Sequence, residues 1–354
     1  TEVQIFDNIF ENSDLYRNYT TPIYANYNGQ LTIRNCRFIN LRCTKVVGGD
    51  GNVFSSNSNL ILKFESCQFI NCGTGYSDTG DKIIRLENPS SSIELNDCSF
   101  SFDDVSKSCK VLLTTTSSVN IKGCTFDKVG INTININSQN SNGIFQLTNN
   151  NISNVNKQFL LINNLNTDPI LEGNIFRNIN LESGYFITIN HHSEEITITN
   201  HTFDTITSGN GEVFGGSLSG WFARNGQENY TIIYERCKFY NMINHNEESP
   251  YNQGGAIQYG YSLSISNVSM NFEECEFKNN LCEHGNGGAI AININNNLYI
   301  HKCIFENNEA KGKGGAIFIW CKIVNMNAEG TQEEINPEMT SIIITECEFI
   351  NNKM

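Results

Sequence analysis

Charge is scarce in this sequence, at 17% of residues, and proline occurs only five times in 354 positions. Low charge beside 39% hydrophobic residues and 22 Phe excludes a disordered chain, because enough apolar surface is present to build a core. Basic residues are the scarcer sign, 23 Lys plus Arg against 37 Asp plus Glu, for a formal net charge of −14. That balance argues against a nucleic-acid or anionic-membrane partner, whose phosphates would be repelled. No uninterrupted apolar run approaches the ~18 residues of a membrane-spanning helix. No Cys-x-x-Cys pair occurs, and the opening TEVQIFDN has neither an initiator Met nor a secretory signal pattern. The expectation is a processed start or a segment of something longer.

What is present is repetition. IHKCIFEN at Ile300 has relatives along the whole chain: IRNCRFIN at Ile33, FESCQFIN at Phe64, LNDCSFSF at Leu95, IKGCTFDK at Ile121, YERCKFYN at Tyr234, FEECEFKN at Phe272 and ITECEFIN at Ile344. Looser copies fill the remainder, and the anchors fall at Phe10, Phe38, Phe69, Phe100, Phe126, Ile152, Phe176, Phe203, Phe239, Phe277, Phe305 and Phe349. Their spacing is mostly 24 to 31 residues, with intervals of 36, 38 and 44 toward the C-terminus. A fixed period of this size marks a solenoid. Each unit alternates apolar and polar residues with period two and holds no ten-residue stretch of helical periodicity. The leucine-rich signature is missing, and two or three short strands per unit describe a parallel β-helix of about 12 coils as a single domain over 1–354. At one strand spacing per coil its rod would be roughly 58 Å long.

Alternation puts Cys303 and Phe305 on one face and Lys302 and Ile304 on the other. Across copies the Cys/Phe face is apolar and therefore inward. Eight Cys share that position: Cys36, Cys67, Cys98, Cys124, Cys237, Cys275, Cys303 and Cys347, with Asn150, Asn174 and His201 in the intervening units. In-register side chains point the same way rather than at each other, so a stack of reduced, buried thiols is expected. Cys43, Cys72, Cys109, Cys282 and Cys321 remain for bridges. By the same pattern His201 is a core residue, not a catalyst. Asn stands two residues past the anchor in nine copies, from Asn12 and Asn40 to Asn351, where a left-handed turn and a ladder of stacked amides are expected.

Catalysis on such a surface needs converging carboxylates, as an acid/base pair or as cation ligands. The local concentrations are Glu273/Glu274/Glu276, Glu346/Glu348, Asp103/Asp104 and Glu194/Glu195. Glu276 and Glu348 are separated by the Ile304 coil and the Asp pair diverges along extended backbone, so a solvated acidic face is expected. His191/His192 lack convergent partners. The Gly pairs Gly254/Gly255, Gly287/Gly288 and Gly314/Gly315 lack the Lys-Ser/Thr of a phosphate loop and suit tight corners entering strands instead. No catalytic residue, cofactor or metal is expected. Recognition is expected in loops, with Trp221, Phe222, Arg224 and Tyr251 as candidates. Sequons at Asn18, Asn151, Asn200, Asn229 and Asn267 would be glycan acceptors in a secreted protein.

The GGAI segments at Gly254, Gly287 and Gly314, paired with FKNN, FENN and FINN, resemble the short repeats of the polymorphic outer membrane protein family, within the pectin-lyase-like right-handed β-helix class. The resemblance is strongest over 254–352. It implies a non-enzymatic, surface-exposed, adhesin-like rod, and the Cys ladder with its Asn richness looks more like a protist surface protein than a bacterial one. The expected function is an adhesin or scaffold at the cell surface. It would meet a protein or glycan partner through loops or coil ends, with any membrane association carried by parts outside this chain. The alternatives are a polysaccharide lyase or hydrolase of the same fold, and a structural rod in an intracellular or ciliary assembly.

Overall fold

In the computed structural model the described residues are 1–11, 14–15, 21–43, 53–73, 82–104, 110–115, 118–130, 133–137, 143–156, 158–165, 167–181, 186–191, 195–208, 222–224, 229–245, 247, 254–259, 267–293, 297–320, 323–326, 332–335 and 341–354. Among them every element is a strand and none is a helix. The fold is an all-β parallel solenoid, as the repeat requires. The chain divides into two compact units, 1–175 with 186–192, and 176–185 with 193–354.

Each coil has three sides. Twelve strands take the first side, seven in the first unit and five in the second. The third side is less complete, with eight strands and a separate three-strand stack at Ile257–Tyr259, Ile290–Asn293 and Ile317–Trp320. The solenoid makes about eight turns rather than twelve; the repeat anchors mark the second side of each repeat only. Pairing is parallel and in register, as where Ile93 faces Leu62 and Leu95 faces Phe64, apart from a register shift between Ile162 and Leu165 against Ile187–His191. The hairpin Ile323–Met326 with Gln332–Ile335 is antiparallel.

The corner between first and second sides is the same in every coil. One residue adopts a left-handed backbone, φ +51 to +66°, and the next is the inward ladder residue. Asn35, Ser66, Asp97, Gly123 and Asn149 take this place in the first unit, and Asn200, Arg236, Glu274, Lys302 and Glu346 in the second. The kink resets the alternation, so Ile300 and Cys303, three apart, are both fully buried while Lys302 between them is exposed. A second left-handed corner follows most anchors, at Asn40, Asn71, Asn154, Asn178, Asn241, Asn279, Asn307 and Asn351, as the turn chemistry of Asn predicts. Lys128 and the β-branched Thr205 hold that conformation in two coils.

The anchors form aromatic stacks along the core. In the first unit Phe10, Phe38, Phe69, Phe100 and Phe126 follow one another at 4.5–5.1 Å with nearly parallel rings. In the second, Phe176, Phe203, Phe239, Phe277, Phe305 and Phe349 repeat the arrangement at 4.6–5.1 Å. Strand spacing sets these distances and slides the rings into the offset geometry that aromatic faces favour.

The GGAI corners behave as tight entries to the third side. Gly254, Gly287 and Gly314 have φ of +68 to +74°, and a Cβ on Gly255 or Gly288 would run into the backbone of the coil stacked on it. The first glycine supplies conformation and the second supplies close approach.

Candidate functional site

The inward ladder is the most chemically distinctive feature of each unit. Cys67 Sγ lies 3.4 Å from the Ile33 carbonyl one coil back and 3.4 Å from its own Glu65 carbonyl. Cys98, Cys124, Cys237, Cys275 and Cys303 repeat the pair of contacts on Phe64, Leu95, Ile198, Tyr234 and Phe272 at 3.3–3.5 Å. The side chain just beyond the left-handed kink thus adds a donor to a carbonyl of the preceding coil. Any small donor can do so. Asn150 Nδ2 donates to the Ile121 carbonyl at 3.0 Å, and Asn174 Nδ2 to the Leu147 carbonyl at 2.6 Å. Asn150 Nδ2 also donates to Asn174 Oδ1 at 2.9 Å.

A second capping column lies three residues past the anchor. Cys72 Sγ approaches the Phe38 carbonyl at 3.2 Å; Asn280, Asn308 and Asn352 donate to the Phe239, Phe277 and Phe305 carbonyls at 2.8–3.0 Å. The amides also bond to one another, Asn280 Nδ2 to Asn308 Oδ1 and Asn308 Nδ2 to Asn352 Oδ1, both 2.9 Å. The amide ladder expected at the left-handed Asn therefore sits chiefly one residue later. Left-handed Asn residues mostly reach acidic neighbours, Asn71 to Asp103 and Asn241 to Asp204, although Asn279 meets Asn241 at 3.3 Å. The turn directs the first Asn of each pair outward and the second inward. The paired spelling FKNN, FENN, FINN was the signal for this column.

All ten cysteines described as side chains are free, and nine are buried. Eight of these thiols are pushed above their usual range. Hydrogen bonding from Cys98 and then burial push Cys67 far up, burial raises Cys72 to about 12, and burial raises Cys282 to about 11. Such thiols make poor nucleophiles and poor metal ligands, both of which require thiolate. His201 is wholly buried between Phe176 and Phe203, each ring 5.8 Å away, and burial depresses it to about 3. It is a neutral core residue, as its ladder position implies.

The outward face of the second side carries the densest polar network. Tyr240 Oη donates to Glu276 Oε2 at 2.6 Å, Lys278 Nζ lies 2.9 Å from Glu276 and 3.6 Å from Glu306. Burial and then the Glu276 bond raise the Tyr240 hydroxyl. Burial pushes Glu276 upward, but Tyr240 and Lys278 outweigh it and hold the carboxyl below its usual range. Glu276 in turn raises Lys278. A proton-abstracting Tyr or Lys needs the opposite shift. Glu276 faces Ile304, which faces Glu348, so these carboxylates occupy alternate coils. Asp103 and Asp104 are both exposed. Among the described residues no three His, Cys, Asp or Glu converge as a metal site.

Of the recognition candidates, Trp221 and Tyr251 lie outside the described residues, whereas Phe222 and Arg224 belong to the strand Phe222–Arg224 rather than to a projecting loop. Of the sequons, Asn18 lies outside the described residues and Asn151 is exposed beside the anchor Ile152. Asn200 occupies a left-handed corner, its Oδ1 accepting from Arg236 Nε at 3.1 Å. Asn229 and Asn267 open neighbouring strands in register with one another. His192 and Glu194 fall outside the described residues; His191 ends the strand Ile187–His191.

Comparison with protein-family models, curated proteins and solved structures finds no match to the chain.

Proposed function

We propose that the chain is a non-enzymatic rod serving as an adhesin or scaffold at a cell surface, with recognition through segments inserted in the coils. The observation that supports this is the uneven distribution of length. Between the first and second strands of every coil lie two residues, as in Glu65–Gln68 or His301–Ile304, without exception. All variation in repeat length falls after the second strand, in stretches such as 209–221, 246–253 and 327–331. A repeat that holds its first corner fixed and lengthens only beyond the second strand keeps its inward ladder and anchor in register whatever the length of its insertions. The repeat likeness to polymorphic outer membrane proteins and the sequons point in the same direction, to a protist surface protein.

Free thiols favour a second reading, a structural rod inside a reducing compartment such as an intracellular or ciliary assembly, because secreted domains ordinarily oxidise paired cysteines. One measurement separates the two. An intact mass of the protein from its native source, before and after glycosidase and thiol labelling, reports sugars and disulfides together. Sugar on Asn151 or at Asn229/Asn267 is the expected result. A sugar-free mass with every thiol intact would overturn the surface reading in favour of the internal rod. Trimming 209–221 to a short Gly-Ser link should abolish adhesion to a responsive cell without changing the melting temperature.

A further inference from the structure

Where the second side of the coil turns toward the third, two neighbouring coils of the second unit bring four titratable side chains together. Asn244 pairs in register with Cys282, and the Glu283 amide donates to the Asn244 carbonyl at 3.0 Å. The next residues along, His245 and Glu283, therefore stand side by side, with His245 Nδ1 2.6 Å from Glu283 Oε2. His284 Nε2 lies 3.9 Å from the same Glu283 oxygen and 3.9 Å from Glu247 Oε1. Two imidazoles thus meet two carboxylates across one joint between coils. We propose that His245, Glu247, Glu283 and His284 form an acid-responsive clasp, in which proton uptake by the two imidazoles turns the cluster into ion pairs that fasten the coils together.

The His245–Glu283 contact spans 38 residues of chain, so whatever strengthens it acts between coils and not within one turn. A neutral imidazole gives Glu283 a single ordinary hydrogen bond. An imidazolium gives it a charge-assisted bond, roughly twice as strong. Glu283 approaches both rings, so charging either one reinforces the joint. Full protonation then leaves two positive rings against two negative carboxylates, whereas at higher pH the carboxylates stand uncompensated. The four side chains are between 35% and 68% exposed, so a proton reaches them without opening the core. His201 is the contrast: it is wholly buried, and a charge there is opposed by burial.

The surrounding charges are few. The following coil places Lys311 in line with Glu283, where its Nζ lies 3.5 Å from Glu309. Lys313, two residues on, gives its backbone amide to Asn286 Oδ1 at 2.6 Å. The preceding coil offers Thr207 and Ser208, neither of which titrates in this range. Glu248, beside Glu247, lies outside the described residues. Lys311 and Lys313 oppose positive imidazoles, and the two carboxylates within 3.9 Å of the rings outweigh them. Because the folded cluster welcomes the proton, the contribution of the clasp grows as pH falls through the range in which histidine titrates, opposite in sign to that of His201.

The test follows hydrogen exchange of the Glu283 amide in the 354-residue chain, at about pH 5.5 and about pH 8, with and without a chelator. The reference is His245→Gln/His284→Gln, which keeps amide hydrogen bonding at both positions but cannot take up a proton. The protection of wild type relative to this variant should be about three- to fivefold greater at the lower pH, with or without chelator, and high salt should shrink the difference. His201 is common to both chains and cancels in that ratio. Glu247→Gln/Glu283→Gln, which keeps the bonding and removes the negative charge, should abolish the same pH response and serves as the reference if the histidine variant fails to fold. A ratio that is equal at the two pH values would reduce the cluster to a hydrogen bond and overturn the proposal. A ratio that falls in acid would do the same, in favour of repulsion from Lys311. A response that vanishes with chelator would also overturn it, since the imidazoles would then be answering to a bound cation.

Discussion

At the level of single residues, this fold places a small hydrogen-bond donor just beyond each described left-handed kink, against a carbonyl of the preceding coil. Cys and Asn are interchangeable there for that reason, and apolar isosteres are not. Cys98→Asn should leave stability within about 1 kcal/mol, whereas Asn308→Leu should cost about 2–4 kcal/mol by stripping partners from buried amides and the Phe277 carbonyl. Urea unfolding of the two variants checks the contrast. His201 adds a pH term. Its folded value near 3 lies below its unfolded value of 6.5, so the unfolded chain binds the extra proton between those limits. Its contribution is complete above about pH 6.5 and is lost as pH falls toward 3; at about 1.4 kcal/mol per pH unit this amounts to several kcal/mol. His201→Asn should flatten that part of the stability–pH curve and leave the neutral-pH value nearly unchanged. The thiols act at the other limb: raised folded values mean stability is lost as pH climbs above about 9, where the unfolded thiols ionise first. A third residue-level outcome concerns Thr205, whose φ of +57° is costly for a β-branched side chain at a corner that Asn occupies in eight coils. Thr205→Asn should raise stability by about 1 kcal/mol, read as a higher denaturation midpoint.

At the level of the strand and its corners, the sequence was legible where side-chain pattern alone carries the information. Period-two alternation identified the first and second strands, and the Phe anchors gave their register, because burying one face leaves no second register for strands such as Gln68–Ile70. The left-handed Asn after eight of the anchors was legible from its turn chemistry. The corner before Cys was not. Arg236, Glu274 and Lys302 occupy it, and nothing in those side chains announces positive φ. The conformation is imposed by burying Ile and Cys three residues apart, a tertiary demand that local preference does not show. The inward amide column was missed for a related reason: both residues of an Asn pair suit a turn, and only the coil geometry decides which one points in. The third side was least legible, since its strands lack a recurring anchor. The glycine corners support a prediction at this scale. Gly288→Ala would drive a methyl into the Gly315 carbonyl and the Glu309 backbone, with no flexible side chain to yield. A loss of about 3 kcal/mol or more is expected in thermal unfolding, with the Ile290–Asn293 strand first to lose amide-exchange protection.

For the chain as a whole, a repeat of this kind makes stability a sum over nearest-neighbour coils, so what matters is whether register is kept rather than how many coils are present. The first unit allows a sharp test. Residues 97–122 form one full coil, from the left-handed Asp97 to the residue before the left-handed Gly123. Deleting them joins Asn96 to Gly123 and brings each side onto its next-but-one neighbour. Gln68–Ile70 would then meet Thr125–Asp127, Ser92–Asn96 would meet Ile144–Thr148, and Phe69 would stack on Phe126. Both new pairs are of types already packed in the fold, so the shortened chain should fold cooperatively with an unchanged β-type circular dichroism spectrum and a modestly lower unfolding enthalpy. Deleting 97–121 instead leaves Lys122 in the corner and moves Cys124 one place along. Every inward residue of the following strand then turns outward, Phe126 included, and a buried aromatic column cannot be exchanged for Thr125 and Asp127 without losing several side-chain burials of about 2–3 kcal/mol each. The chain one residue longer should be the one that fails to fold. If both deletions folded equally well, coil-to-coil register would not be what holds this molecule together.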